Sequence, residues 1–479
     1  MHTTEPVAEL APGGEAPKPQ ILAQCHEVID TLVQLVAELQ REIAWLHERV
    51  TLNSKTSSKP PSSDEPGSPN RAQRRASPRK RGAQKGHPGS FRAVVDESQV
   101  DRVIDCPAPQ VCECGAPVMP LGQAVRHQVS EIPVVRAQVS EYRLHGGCCT
   151  ACGKARRATL AAGVPRGQLG PRALALIGVL GTRYQLPQGK VRDLLAQVLG
   201  LDFSVGAVSQ AHGKVALALA EPVHEAARTL ADAPVKNVDE TRYPREGTTD
   251  QWIWGVVTPR VVVFNLLPSR ARYVIHSLLG EAPQGLVVSD RYAAYAHIPA
   301  EQRQLCWAHL LRDFARISQR HGSPGRIGAK LLGAGYVLFR WLDDDHLAGK
   351  SAQEFQSLQR RIRRALEQGA QQTACRRTAG TCAQLLKSWT SLWTFLHHAD
   401  VAPTNNDAER ALRAIVVKRK ISGPTRSRRG DLFIARGFSV IETGRRQGRD
   451  AFEYLQQAVT AWLHNVAAPS LVPAAVPSG

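Results

Sequence analysis

Three carboxylates lie where the sequence predicts strand ends or the start of a helix. Asp239 stands in VDETRY, Asp290 ends LVVSD, and Glu409 stands in TNNDAER. Mg²⁺ and Mn²⁺ prefer hard oxygen ligands, so a few Asp or Glu side chains are enough to bind them. Two such ions about 4 Å apart can activate an attacking hydroxyl group and stabilise the leaving oxygen of a phosphodiester. Asp239, Asp290 and Glu409 are therefore the candidates for a catalytic triad that binds Mg²⁺ or Mn²⁺.

Each of these acids also has an ordinary structural interpretation. Asp239 is typical of an acid in a turn after a strand, and Asp290 of an Asx turn in SDRY. Glu409 has capping-box spacing from a preceding asparagine and lies one helical turn before Arg413, a possible ion-pair partner. If Glu409 is not the third acid, Glu442 in SVIETG is the next candidate.

A cluster of cysteines forms a second set of candidate metal ligands, with six of the ten cysteines between residues 106 and 152. Cys112-Glu-Cys114 and Cys149-Thr-Ala-Cys152 are each followed by glycine, which permits a tight turn that points both thiolates at one ion. Structural, tetrahedral Zn²⁺ is the expected metal, and free buried cysteines are the alternative. The segment also offers four substitute ligands: Cys106, Cys148, His127 and His145.

The charge balance predicts a polyanionic partner. Sixty-one Lys and Arg against 42 Asp and Glu give a net charge of +19 and a pI of about 9.8. Nucleic acid is the first candidate for such a partner. Basic residues concentrate between Glu65 and Asp96 and again after Glu409, where no acid interrupts residues 410–430. The candidate phosphate contacts are Arg79, Lys80, Arg81, Arg410, Arg413, Lys418, Arg419 and Lys420.

The elements that must position these residues follow from hydrophobic periodicity. From Ile29 to Val50 the apolar residues form a heptad with Ile or Val at one seam position and Leu at the other, which favours a parallel coiled coil and self-association. An amphipathic helix packed on its own chain is the alternative. After Pro234 three strands, a helix, a strand, a second helix and a strand predict an α/β sheet of the ribonuclease-H type, which a helical segment interrupts.

The predicted fold is multidomain α/β: a ribonuclease-H-like catalytic domain with a helical insertion, preceded by a coiled-coil helix, a small zinc-binding β domain and a helical domain. The zinc-binding domain includes two predicted hairpin strands, QVSEIPVV and QVSEYRLH. The predicted boundaries are 20–51 for the coiled coil, 52–95 for a basic flexible linker, 96–157 for the zinc-binding domain, 158–232 for a helical and candidate DNA-binding domain, 233–310 and 401–465 for the two parts of the catalytic domain, and 311–400 for the insertion.

The apolar runs are too short to span a bilayer, which needs about 20 residues. The first residues carry acids and prolines in place of a secretory signal. We therefore expect a cytoplasmic protein without a membrane partner, in which disulfides are not expected.

An ordered series of motifs resembles the insertion-sequence-66 family of transposases, which are DDE-type recombinases. The motifs are SSKPPSSD, the two cysteine pairs, VDETRYP, WIWGVV, VSDRYAAY, CWAHLLRDF, TNNDAERALR and GFSVIETGRRQGRDAFEYL. The resemblance covers most of the chain and implies cutting and joining of double-stranded DNA at the ends of a mobile element with Mg²⁺. It also implies a catalytic triad at Asp239, Asp290 and Glu409, and accessory transposition proteins as further partners.

The same resemblance identifies Cys306-Trp-Ala-His309 as the family's Cys-x-x-His signature. We expect Cys306 and His309 to support the site rather than to ligate metal. Two other functions stay open on the sequence: a non-catalytic, zinc-dependent DNA-binding protein derived from a transposase, and a nuclease of the same fold without a joining step. The presence of all three acids argues against the first.

Overall fold

The computed structural model describes residues 18–50, 93–119, 122, 124–247, 251–343 and 350–473. Across these ranges none of the helices is both long and apolar enough to cross a membrane. The thirteen α-helices that they contain are α1 (Lys18–Val50), α2 (Pro171–Gly181), α3 (Gln188–Leu199), α4 (Val205–Ala218), α5 (Ala220–Ala231), α6 (Arg272–Leu279), α7 (Trp307–Ser318), α8 (Ser323–Asp343), α9 (Ala352–Gln371), α10 (Arg376–Lys387), α11 (Asn406–Ser422), α12 (Arg428–Gln447) and α13 (Ala451–Leu463).

Within the described residues, seven strands form two sheets. The small sheet is a hairpin of β1 (Gly146–Cys148) and β2 (Ala155–Arg157). The large sheet has five strands: β3 (Val235–Arg242), β4 (Trp252–Val257), β5 (Val262–Leu267), β6 (Leu286–Ser289) and β7 (Arg303–Leu305). Its order is β5-β4-β3-β6-β7, with antiparallel pairing on the β4 side of β3 and parallel pairing on the β6 side.

The mixed α/β fold and the strands predicted after Pro234 are confirmed. Strand β3 alternates between buried and half-buried residues. Strand β4 is buried almost throughout, as expected for a strand that is covered on both faces. The connection between β6 and β7 differs from the predicted helix, because it consists of two 3₁₀ turns, Ala293–His297 and Ala300–Gln302. The stretch from Pro299 is short, and proline lacks the amide proton that a longer helix would use.

One hydrophobic core contains residues of the large sheet, of the helices that precede it in the chain and of the helices that follow it. Its buried members run from Leu169 to Ile298 and from Ala408 to Leu471. Helix α2 packs on α13 so closely that a Cβ at Gly178 would lie 2.7 Å from a methyl carbon of Leu455. Helices α2–α5 therefore share a core with the sheet.

The segment predicted as an insertion is helical and has a second core. Helices α7–α10 bury a cluster that includes Trp307, Leu331, Leu366 and Trp393. Helix α9 begins with a capping box between Ser351 and Glu354, which satisfies two backbone amides of its first turn. Leu305 of β7 and Trp307 of α7 both belong to this second core, so the end of the sheet packs against the insertion.

The predicted strands at 128–135 and 138–145 are wrong, because the described residues there have no strand assignment. Their apolar side chains are exposed, for example 80% for Val129 and 90% for Val139. Pro133 interrupts the first segment and cannot donate to a ladder. The alternation of apolar and polar residues does not supply a surface for the apolar side chains to pack against. A short hairpin is only marginally stable without a third strand or a helix to cover it.

Helix α1 confirms the helical prediction at the N-terminal heptad. Its seam residues are about half exposed, from 47% for Leu46 to 65% for Ile43. The described chain therefore leaves this seam uncovered. One residue near its end, Glu48, contacts the insertion.

Candidate active site

Asp239 and Asp290 are brought together by the parallel pairing of β3 and β6. Asn237 pairs with Val288 in this register, so Asp239 and Asp290 each lie two residues further along adjacent strands. Asp290 directly follows β6, and its Oδ1 accepts a hydrogen bond from the Tyr292 amide at 2.9 Å. The Asx turn considered for Asp290 is thus present, and it fixes the carboxylate at the edge of the sheet.

Asn405 connects the helix that carries Glu409 to the same edge. Its side chain is fully buried. Its Nδ2 donates to the carbonyl of Val238 at 2.8 Å, its Oδ1 accepts from Asn237 Nδ2 at 3.0 Å, and its amide donates to Cys306 Sγ at 3.1 Å. Since Val238 precedes Asp239 in β3, Asn405 sets the start of α11 beside that acid.

Glu409 lies in the first turn of α11 and contacts helix α7. Its Oε1 accepts from Arg312 Nη2 at 3.2 Å and lies 3.4 Å from His309 Nδ1. The capping box is absent, because the N-cap of α11 is Asn405 and Glu409 is the fourth residue of the helix. Within the described chain the ion-pair partners of Glu409 are Arg312 and His309 rather than Arg413. The Glu409 carboxylate therefore points toward α7.

A fourth carboxylate, Glu240, lies beside Asp239 in β3. Arg270 Nε donates to Glu240 Oε1 at 2.5 Å, and Tyr295 Oη donates to Oε2 at 2.6 Å. The Arg270 guanidinium also lies over the Tyr292 ring, 3.7 Å from its centroid, and its Nη2 is 4.0 Å from Asp290 Oδ2. Arg270 thus binds Glu240 and lies next to Asp290.

The electrostatics of the cluster favour binding of a cation. Burial raises the pKa of Asp239 well above its usual value, and the neighbouring acids Glu240, Asp290 and Glu409 raise it further. A buried carboxylate surrounded by like charge gains from a positive ion that replaces its proton. The oxygen donors of this set fit Mg²⁺ or Mn²⁺.

Cys306 and His309 also lie in the site. In the part of the chain that the structure describes, the only three metal-ligand atoms within 4.8 Å of one another belong to Cys306, His309 and Glu409. Burial raises the pKa of Cys306 to about 11, and its Sγ accepts a hydrogen bond from the Asn405 amide at 3.1 Å. Burial and Arg312 lower the pKa of His309, so its imidazole is uncharged at neutral pH. These features favour the supporting role that we expected.

The two cysteine pairs form turns of the kind that we predicted from their glycines. Cys112 and Cys149 accept backbone hydrogen bonds from Gly115 and Gly153, whose φ angles are +85° and +66°. Hydrogen bonds from the backbone and the thiol of Cys114 lower the pKa of Cys112. Hydrogen bonds from the backbone of Cys152 and Ala151 and from the Cys152 thiol lower the pKa of Cys149. Cys112, Cys114, Cys149 and Cys152 are exposed, and the structure does not gather them into one ligand group.

The basic residues predicted to contact DNA have different environments. Arg410 and Arg413 are exposed beyond Glu409 on α11, whereas Arg419 is half-buried and donates to Thr241. Lys418 is buried, and its Nζ donates to the carbonyl of Leu186 at 2.8 Å. Its ammonium group therefore does not reach the surface. Arg79, Lys80 and Arg81 lie outside the described residues.

Sequence reasoning did not find Asn405, Arg270 and Arg312 as parts of the site. Asn405 had a visible signal, because it directly precedes the helix of the third acid in TNNDAER. Arg270 and Arg312 had none, since the acids that they contact are 30 and 97 positions away in the chain. Glu442, the reserve candidate, pairs with Arg445 of its own helix α12 at 2.8 Å.

Comparisons with known proteins cover most of this architecture. The family model described as "Transposase IS66 family" matches residues 166–431. A second model, for a family of unknown function, matches residues 15–93. The uncharacterized protein y4hP of Sinorhizobium fredii (strain NBRC 101917 / NGR234) is 27% identical over 417 residues, which cover 78% of this chain and 72% of that protein.

Proposed function

The chain belongs to the transposase IS66 family, and from this premise we propose that it binds the ends of an insertion sequence and catalyses metal-dependent DNA strand cleavage and strand transfer. One observation carries the catalytic part of the proposal. The β3–β6 register and the Asn405 anchor of α11 bring Asp239, Asp290 and Glu409 to one edge of a mixed sheet. Acids from different elements must meet in this way for two-metal chemistry.

The strand order supports a ribonuclease-H-like catalytic domain. Three antiparallel strands are followed by β6, which pairs parallel to β3, and β7, which pairs parallel to β6. Asp239 lies in the first of these five strands, and Asp290 directly follows the fourth. The third acid follows after the helical insertion. We propose the same division for function, with residues 233–310 and 401–465 forming the catalytic domain and 311–400 forming the insertion.

Asp239, Asp290 and Glu409 would hold the divalent ions, Mg²⁺ or Mn²⁺. When bound, such ions supply the positive charge that activates an attacking hydroxyl group and stabilises the leaving oxygen. The protein's own groups set the geometry of the acids. Arg312 donates a hydrogen bond that orients Glu409, and the Asx turn at Tyr292 orients Asp290. His309 Nδ1 lies 3.4 Å from the Glu409 carboxylate.

Double-stranded DNA is the proposed substrate, and the exposed Arg410 and Arg413 are placed to contact its phosphates beside Glu409. Such contacts position DNA without reading its sequence. Arg79, Lys80 and Arg81 are proposed to add phosphate contacts from the linker. We leave Lys418 out of this surface because its amino group is bonded inside the protein.

Two further parts of the proposal concern assembly. The uncovered seam of α1, with Ile29, Val36 and Ile43 at one position and Leu32 and Leu39 at the other, suits a parallel coiled coil with a second copy of the chain. Zn²⁺ bound by Cys112, Cys114, Cys149 and Cys152 would order the segment 96–157. Accessory transposition proteins remain proposed partners.

The test is a strand-transfer assay with purified protein, a labelled element-end duplex and target DNA, in Mg²⁺ or in EDTA. We expect joined products from the wild type only with Mg²⁺, and none from Asp239→Asn. Asp400→Asn is the matched control, because Asp400 is an exposed aspartate before α11 and its loss should leave the products unchanged.

The outcomes separate the competing functions. Binding without cleavage in any metal would support a DNA-binding derivative and contradict the catalytic proposal. Cleavage without joined products would instead indicate a nuclease of the same fold. Equal activity of Asp239→Asn and wild type would contradict the triad.

A further inference from the structure

A pocket of three arginines lies on the insertion, away from the carboxylates. The cavity has a volume of about 450 Å³ and is lined by Arg316 of α7, Arg320, and Arg377 with Gln384 of α10. Arg320 is well buried, with 14% of its side chain exposed, and donates to Thr378 Oγ1 at 2.6 Å. The Arg320 guanidinium is therefore held in place beside the other two, which suits recognition of an anion with several oxygens.

The anion now in this pocket is Glu48, from helix α1. Its Oε1 lies 2.8 Å from Arg320 Nη2 and 3.6 Å from Arg316 Nε, and its Oε2 lies 3.6 Å from Arg377 Nη1. One carboxylate thus faces three guanidinium groups, and Arg316 also pairs with Asp313 at 2.7 Å. Three guanidinium groups around one cavity suit an anion with more oxygens and more charge than one carboxylate.

Helix α7 connects the pocket to the candidate active site. His309, Arg312 and Arg316 are spaced by three and four residues on α7, so they lie along one helix face, and Arg312 contacts Glu409. From Arg312 to Arg316 the rise along the helix is about 6 Å, the axial span of roughly two phosphates of one strand. Arg291, which follows Asp290, donates to Gln384 in the pocket wall.

We propose that Arg316, Arg320 and Arg377 bind a backbone phosphate of the DNA strand that passes through the active site, and that Glu48 occupies this pocket when DNA is absent. Helix α1 is then an autoinhibitory latch that DNA displaces. The inference rests on the proposed DNA-directed function and adds both a phosphate site and its regulation.

The latch is compatible with a coiled coil. Glu48 lies five residues after the seam residue Ile43, which is the position on the outer face of a heptad. The seam of α1 can therefore face a second copy while Glu48 faces the insertion. DNA binding at the pocket would release the helix without requiring the two copies to separate.

The test compares binding of a short fluorescent duplex of arbitrary sequence at several salt concentrations, because a phosphate contact is independent of sequence. We expect Glu48→Gln to bind DNA about 3–10-fold more tightly, with a salt slope steeper by about one phosphate contact. The matched control is Glu42→Gln, which removes an equal charge from an exposed position of the same helix. Any general charge effect appears in both variants.

Arginine variants complete the test. Arg377→Gln should weaken binding and reduce the salt slope by about one, and Glu48→Gln should add little in that background. Arg377 is half exposed, so this change keeps the test informative even if Arg320→Gln fails to fold. Equal effects of Glu48→Gln and Glu42→Gln, with DNA binding and strand transfer intact in the wild type, would overturn the latch alone. Absence of DNA binding in every variant would overturn both the latch and the proposed function.

Discussion

The two candidate metal-binding regions differ in how their ligands are held. In the sheet, Asp239 lies in a strand between two paired neighbours, and Glu409 is fixed through the fully buried Asn405. In the segment 93–157, Cys112 and Cys149 depend on turns of their own few neighbours, and nearly all side chains are exposed.

This difference separates two ways of building a metal site. The carboxylates are positioned by strands and a helix that share one buried core. The cysteines have their local turns, but no core brings the two pairs together. For them the binding energy of Zn²⁺ would itself supply the tertiary order, as in small zinc domains.

The largest effect should come from the preorganised acids. Glu409→Gln should reduce strand cleavage by about 10³-fold or more, because several kcal/mol of transition-state stabilisation depend on the metals. The fold should persist, since Glu409 contacts only side chains at the site. Cleavage kinetics and thermal unfolding measure the two effects, and Glu442→Gln tests the reserve acid. Near-normal cleavage by Glu409→Gln would transfer the role to another residue.

In the cysteine region, loss of one metal ligand should disturb the local fold, whereas loss of Glu409 should not. Cys149→Ser should remove bound Zn²⁺. Loss of a residue that only hydrogen-bonds to a metal ligand lowers metal affinity by roughly 10–100-fold, and loss of a ligand itself should lower it further. Hydrogen exchange should then lose protection in 96–157 but not in β3–β7. Cys375→Ser is the control, because Cys375 lies in the insertion. Collapse of protection in the sheet as well would show that the two regions are not independent.

The sequence predicts the two regions to different extents for a physical reason. Asp239 and Asp290 were predictable because strand alternation is local and the ends of parallel strands share an edge. Asn405 could not be assigned its role, since its Val238 partner is 167 positions away. The strands at 128–145 were predicted wrongly because alternation describes one segment, whereas a sheet also needs a partner and a covering face.

Asn405 tests whether preorganisation itself matters. Asn405→Ala should lower the cleavage rate by about 10–100-fold and the free energy of unfolding by about 1–3 kcal/mol, because it leaves the buried Val238 carbonyl unpaired. A positioning role also predicts a higher Mg²⁺ concentration for half-maximal rate. The exposed neighbour Asn406→Ala provides the comparison. Lost stability with an unchanged Mg²⁺ requirement would indicate a purely structural role.

The pKa of Asp239 gives a pH prediction for the same cluster. Because its folded-state pKa is raised by burial and by Glu240, Asp290 and Glu409, the folded protein binds this proton more tightly than the unfolded chain. Stability of the metal-free protein should therefore fall as pH rises from the usual aspartate range through the raised pKa. Mg²⁺ should restore it, increasingly at higher pH. Thermal unfolding at several pH values measures this change in stability. Asp239→Asn should make the stability of the metal-free protein depend less on pH. An unchanged pH dependence in that variant would mean that another group titrates.

The smallest expected effect separates two basic residues on α11. Arg413 is exposed, so Arg413→Gln should weaken duplex binding modestly and lower the salt slope by about one phosphate contact. Lys418→Met should leave both quantities unchanged, because burial lowers the pKa of Lys418 to about 8 and its Nζ is bonded to Leu186. Fluorescence titrations with one duplex compare the variants directly. A reduced salt slope for Lys418→Met would mean that this amino group reaches DNA after all, and that the end of α11 opens when DNA binds.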